Sequence, residues 1–188
     1  MRQFSADDRL LLGTCHWARP AWLQTYYPDD LPEDWRLSYY ANDCDCLLLP
    51  AEDWCGAGRA QLLTALDDAP QDLVWFLEIP SDVAALATPL TQLLAPFDGL
   101  SLVALVGEPL AELARLPQWQ ADGQDRWTDP QSGYQLQRWQ LASADLRTLR
   151  AHAEQLTGNA RAIVIDGGDS SPDKVPEMRT MLGLMGRL

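Results

Sequence analysis

Lysine is almost missing from this chain, with Lys174 its single instance and arginine supplying the other basic residues. Acidic side chains outnumber basic ones, 27 to 14, for a formal charge of −13. A field of that sign repels phosphate backbones and anionic lipid heads, so nucleic acid and membrane surfaces are disfavoured as partners of this acidic protein. The shortage of lysine goes with an abundance of Ala and Leu and reads as composition bias, not as a recognition code. Long apolar runs are missing too, since no stretch approaches the ~20 uninterrupted residues that a membrane span needs. The opening Met1-Arg2-Gln3-Phe4-Ser5-Ala6-Asp7-Asp8 has no apolar core of signal-peptide length, so export is not expected and the protein is placed in the cytoplasm.

Cysteine is sparse and uneven. Cys15, Cys44, Cys46 and Cys55 all fall in the first third, and in a reducing compartment they are expected as free thiols. Cys44 and Cys46, two apart on a strand, sit roughly 7 Å apart on one face, beyond easy disulfide reach. With His16 they raise a zinc reading, but a C-x-C spacing fits no finger pattern and zinc wants four convergent ligands, so no metal and no cofactor are expected. Buried cysteines behave as small hydrophobes by default.

What is present is a core. Hydrophobic residues make up 47% of 188, enough for one domain without staples. Short runs apolar on both faces, at residues 10–15, 44–49, 73–79, 100–106 and 162–166, suit buried parallel strands. Amphipathic stripes lie between them: residues 35–41, 57–69, a helix from Ser81 that Pro89 must break, one opened by Pro109, residues 143–156 with Ser143 as cap, and a last helix opened by Ser171-Pro172. Residues 119–141 depart from this, with alternating Trp119, Trp127, Tyr134 and Trp139 around the turn Asp129-Pro130-Gln131-Ser132-Gly133. That stretch reads as an antiparallel hairpin or meander at a sheet edge. The expected fold is α/β over a chiefly parallel sheet, as one domain spanning residues 1–188.

The amino-terminal residues Gly13-Thr14, Trp17, Trp22, Tyr26-Tyr27-Pro28, Leu31-Pro32 and Tyr39-Tyr40-Ala41 occur in a spacing that resembles the YecE-like family, a group of β/α barrels of unknown function. Strong coverage is about the first 50 residues, with a weaker likeness in the closing strand and helix. The resemblance implies a TIM-like barrel. This chain departs from it at Cys15-His16, where the family commonly has Ser-Gly, and at Leu48 and Pro50, where the family commonly has a glutamate and an asparagine. A full eight-stranded barrel typically needs ~250 residues. With about six strand-like runs counted by periodicity, the chain is expected to form a reduced or incomplete barrel with an antiparallel hairpin insertion. Its open edge would be covered by that hairpin or by a second copy in a homodimer.

Function in a β/α fold collects where the βα loops gather, at the carboxyl ends of the strands. The residues just past those ends are Cys15, His16 and Trp17; Glu52, Asp53 and Trp54; Glu78; Glu108; and Asp166. Glu78 closes an apolar strand, so it must face a polar pocket or reach an arginine. The Asp166-Gly167-Gly168-Asp169 turn precedes a helix already capped by its own acids, which argues against phosphate there. His152 lies at the edge of an apolar stripe and reads as structural. Two functions follow. In the first, a non-catalytic relative binds a small ligand or a protein partner through Trp17, Arg19, Trp22, Tyr27 and Trp54, although such aromatics also make a loop core. In the alternative, a hydrolase-type enzyme uses His16 with Glu78 or Asp166.

Overall fold

A closed barrel of eight strands, connected and ordered as they follow in the chain, forms the centre of the molecule. The computed structural model describes residues 9–123 and 125–188; the leaderless start read from residues 1–8 lies outside them. The strands are β1 (Leu11–Cys15), β2 (Cys46–Leu49), β3 (Val74–Glu78), β4 (Ser101–Val106), β5 (Gln118–Ala121), β6 (Arg126–Thr128), β7 (Gln135–Gln140) and β8 (Ala160–Asp166). Every neighbouring pair is parallel except β5–β6 and β6–β7, so β6 alone runs backwards. β8 returns to pair with β1 from Leu11↔Ala162 to Thr14↔Ile165, and the sheet has no edge.

This corrects the expectation of about six strands and an open edge. The undercounted strands are β5 and β6, only four and three residues long, too short for a periodicity to register. The antiparallel meander is present as expected, but it is not an insertion at an edge. It is the part of the wall that closes the barrel.

Side chains alternate between two cores, as the pleat requires. On β2, Cys46 and Leu48 join an inner cluster with Leu11, Cys15, Phe76, Val103, Leu105, Trp119, Trp127, Leu136, Ala162 and Val164. Leu47 and Leu49 belong to an outer cluster with Leu12, Trp75, Leu77, Ile163 and Ile165, covered by helix residues such as Leu37, Leu62, Leu149 and Met178. The inner cluster fills the lumen, with Phe76 and Trp119 rings 5.4 Å apart. Both faces of β1–β4 and β8 are thus largely buried, which is why their sequences are mostly apolar, with Glu78 and Asp166 as polar exceptions at the carboxyl ends.

The covering helices are α1 (Arg36–Tyr40), α2 (Ala51–Trp54), α3 (Arg59–Leu66), α4 (Leu90–Leu94), α5 (Leu146–Glu154) and α6 (Lys174–Leu184). Several are shorter than the periodicity implies. The helix expected from Ser81 is one 3-10 turn, Val83–Ala85, capped by Asp82, and Pro89 separates it from α4, as a proline without an N–H must. The segment after Pro109 yields only the 3-10 turn Ala111–Leu113. Asp145, not Ser143, caps α5, its Oδ1 accepting from the Thr148 N–H at 2.8 Å. No helix among the described residues is long and apolar enough to cross a membrane.

One local device fixes the β1–β2 seam. A Cβ at Gly13 would lie 1.8 Å from the Cys46 carbonyl oxygen, so only glycine permits that approach. Beside it the fully buried Tyr40 hydroxyl accepts from the Thr14 N–H at 3.0 Å and donates to the Cys46 carbonyl at 2.9 Å. A helix side chain thereby completes the hydrogen bonding of two strands and locks α1 against them.

Candidate functional site

Following the inward-facing positions to the carboxyl ends of the strands turns an apolar lumen into a polar lid. On β1 the inner face runs Leu11, Gly13, Cys15; on β3, Val74, Phe76, Glu78; on β7, Leu136, Arg138; on β8, Ala162, Val164, Asp166. The same period of two that packs the lumen therefore delivers Cys15, Glu78, Arg138 and Asp166 to one layer.

Arg138 is the hub of that layer. Its Nε and Nη2 donate to Asp166 Oδ2 at 2.8 and 2.5 Å, and its Nη1 donates to Glu78 Oε1 at 3.3 Å. Asp125, in the turn before β6, lies 3.9 Å away. Arg19, from the loop after β1, donates to the other Asp166 oxygen, which also accepts from the Gly167 N–H. Burial by itself would raise the Asp166 carboxyl, but the hydrogen bonds and charge of Arg138, with help from Arg19 and Gly167, hold it below the ordinary carboxylate value. Glu78 goes the other way: burial raises it, Arg138 offsets only part, and the charges of Asp125 and Asp166 raise it further. Burial also pushes the Cys15 thiol far up, so by itself it is no thiolate nucleophile.

His16 stands next to this layer in an unusual backbone. Its φ is +70°, and the other non-glycine residue with a left-handed backbone among those described is Asp125, at +58°. Both border the mouth, where strained conformations persist only if the surroundings over-determine them. For His16 they do. Its N–H donates to the Leu48 carbonyl at 2.9 Å, its carbonyl accepts from the Thr14 hydroxyl at 2.8 Å, and its Nδ1 meets Asp53 Oδ2 at 2.6 Å. A neutral imidazole that keeps its N–H on Nδ1 for such a carboxylate carries its lone pair on Nε2. A cleft of about 240 Å³ opens here, lined by His16, Trp17, Ala18, Arg19, Pro20, Asp53, Gly58 and Gln61. A ring nitrogen of His16, the Cys15 sulfur and an Asp166 oxygen lie within 4.8 Å of one another.

The anticipated residues thus divide. His16, Asp53, Glu78, Asp166, Cys15 and Arg19 are brought to the mouth. Glu52 and Glu108 are exposed at its periphery. Trp17, Trp22, Tyr27 and Trp54 are buried; Trp17 lines the cleft, while the polar atoms of the other three serve the scaffold, the Tyr27 hydroxyl donating to the Trp17 carbonyl, the Trp22 indole to the Ser170 carbonyl and that of Trp54 to the Glu78 carbonyl. The aromatic loop is a clamp that holds Arg19 over Asp166. Cys44, Cys46 and Cys55 fall outside the grouping around Cys15. Arg138, Asp125 and Gln61 are not among the residues anticipated from the sequence. Arg138 was findable, because Leu136-x-Arg138 and Val164-x-Asp166 carry the same inward period on adjacent strands. Gln61 carried no such signal.

Compared with protein-family models, curated proteins and solved structures, the chain gives no match.

Proposed function

We propose that this chain is a shortened, divergent YecE-like barrel that binds a small polar molecule at its carboxyl-terminal mouth. The observation that carries the reading is the His16–Asp53 pair, held at 2.6 Å in a left-handed backbone beside an open cleft. Such strain has no packing benefit of its own and is most often retained where a ligand is met. Two guanidinium groups, Arg19 and Arg138, face four carboxylates, Asp53, Glu78, Asp125 and Asp166. Of these only Arg19 and Asp53 line the cleft itself; the carboxylate surplus lies in the neighbouring layer, and its field favours a neutral polyol or an amine over an anion. The family part of this reading rests on the sequence spacing from Gly13-Thr14 through Tyr39-Tyr40.

A second reading, hydrolase-type catalysis, is favoured by one observation: Asp53 Oδ2 lies 2.6 Å from His16 Nδ1, the kind of contact that orients an imidazole base. His16 would then act as base on a bound hydroxyl or water, with Asp166 nearby.

Ligand titration followed by amide NMR tests the main reading, using small polyols, amines and carboxylic acids in the presence of a chelator. Saturable shifts at His16, Arg19 and Gln61, stronger for polyols or amines than for acids and lost in H16Q, are expected. Shifts confined to other surfaces, a preference for acids, or no saturable shift across the panel overturns it. Turnover of ester or glycoside substrates that disappears in H16Q separates the second reading from the first.

A further inference from the structure

We propose that the barrel mouth is also a divalent transition-metal site, with Cys15 Sγ, a His16 ring nitrogen and an Asp166 carboxylate oxygen as its three protein ligands and a fourth position left open. This goes beyond the ligand-binding reading and does not depend on it. The three donor atoms already lie within 4.8 Å of one another, on residues whose backbones are fixed by the β1 and β8 strand ends. One sulfur, one imidazole nitrogen and one carboxylate form a donor set of borderline softness. It suits zinc or cobalt and is wrong for calcium or magnesium, which take oxygen alone. Three protein ligands with an open place is the pattern of sites that bind or activate a small molecule, whereas structural zinc sites close all four.

The surroundings fit the second shell of such a site. A metal-bound histidine characteristically gives its other ring N–H to a carboxylate, which sets its tautomer and orientation. Asp53 Oδ2, 2.6 Å from His16 Nδ1, stands where that carboxylate would, and with the N–H on Nδ1 the ligand atom would be Nε2. On coordination the Cys15 thiol releases its proton to solvent. The ion then adds two positive charges where the new thiolate adds one negative, which offsets part of the carboxylate surplus at the mouth.

There is a competitor on the same carboxylate. Both Asp166 oxygens already accept hydrogen bonds: Arg138 and Gln140 on one, Arg19 and the Gly167 N–H on the other. An ion therefore has to displace a donor, and Arg19, on a loop with its side chain about a quarter exposed at 26%, is the one free to leave. Arg19 and the metal are mutually exclusive on Asp166, so removing the arginine should tighten metal binding.

Titration of the reduced, chelator-stripped protein with Co²⁺ alone tests this. The native chain is expected to take up one equivalent, with a thiolate-to-cobalt charge-transfer band and the ligand-field bands of a tetrahedral ion. C15S should lose the charge-transfer band. D53N should bind about 10- to 100-fold more weakly, the usual cost of removing a second-shell partner, and R19Q more tightly than the native chain. Circular dichroism establishes that each variant is folded. Absence of the charge-transfer band in the native protein overturns the site, and so does its persistence in C15S, which would move the ion to Cys44, Cys46 or Cys55. R19Q binding no tighter than native overturns the competition for Asp166. Ligand titrations run with chelator present are untouched by any of these results.

Discussion

The two halves of the barrel wall bury the same lumen but meet different things outside. On the half made by β8 and β1–β4, helices cover the outer face, and the sequences are apolar in both directions. Between β5, β6 and β7 short turns replace the crossover helices, and on their outer faces only Trp139 of β7 is covered, stacked on His152 of α5. There the inward residues Trp119, Trp127 and Leu136 are buried, while Gln118, Gln120, Arg126, Thr128, Gln135 and Gln137 are partly exposed. The lesson is economic in chain length: reversing one strand, β6, lets two tight turns do the work of two helices, and a closed eight-stranded barrel fits in 188 residues. The crossover of a parallel pair needs a dozen or more residues, a hairpin as few as two.

The comparison breaks if the two outer faces respond alike to substitution. Trp119→Ala, inside the lumen of the uncovered half, should cost about 3–5 kcal/mol, as large core truncations do. Ile163→Ala, on the covered outer face of β8, should cost about 2–5 kcal/mol for the same reason. Gln120→Ala, one residue from Trp119 but pointing outward, should stay within about 0.5 kcal/mol. Chemical denaturation of the three variants makes the check. A large loss at Gln120 would mean that something covers β5–β7, a second copy of the chain included.

This same contrast explains how much was legible in advance. Strands buried on both faces stand out in sequence as apolar runs, so β1–β4 and β8 are found within a residue or two, and α1, α5 and α6 with them. The meander's β5 and β6 are too short for a period and have polar outer faces, so they read as an insertion at an edge. The site was legible where a polar residue interrupts an apolar run, as at Glu78 and Asp166. Where polar residues already alternate, as on β7, Arg138 hides among glutamines although it holds both carboxylates. His16 was visible, but its partner Asp53 was only one of several acids past a strand end. The pairing needed the geometry.

The polar layer spans both halves, and its two carboxylates should respond to pH with opposite signs. Asp166 has a folded pKa below its ordinary 3.8, so its stabilising contribution is complete above that value and is lost as pH falls through the lowered one. Asp166→Asn, which leaves Arg138 and Arg19 without their main partner, should cost about 3 kcal/mol near pH 7, the loss typical of breaking a buried pair. Glu78 has a folded pKa above its ordinary 4.5, so its ionised form opposes folding at neutral pH and this penalty fades as pH falls toward 4.5. Glu78→Gln should therefore melt higher than the native protein at pH 7, with the gap closing by about pH 4, below the ordinary glutamate value. Melting curves across that range decide it. A gap that widens on acidification would mean that the Arg138 contact, not burial, governs Glu78.

The smallest expected effect is also the one closest to function. His16 on the covered half and Asp125 on the uncovered half both hold left-handed backbones, which cost a non-glycine residue roughly 1–2 kcal/mol. Replacing either with glycine removes that cost but adds up to about 1 kcal/mol of backbone entropy to be lost on folding. The net change in stability should be under about 1 kcal/mol for both. The halves should separate in binding. The Asp125 side chain reaches Arg138 only at 3.9 Å, and its 2.9 Å bond to the Arg138 N–H is made by its backbone carbonyl, which a glycine keeps, whereas His16 supplies the ring that Asp53 orients. D125G should therefore keep ligand and cobalt binding within a few fold, and H16G should lose both with its melting temperature nearly unchanged. If H16G unfolds instead, the strain at that residue belongs to the scaffold, and the case for a ligand at the mouth loses its main support.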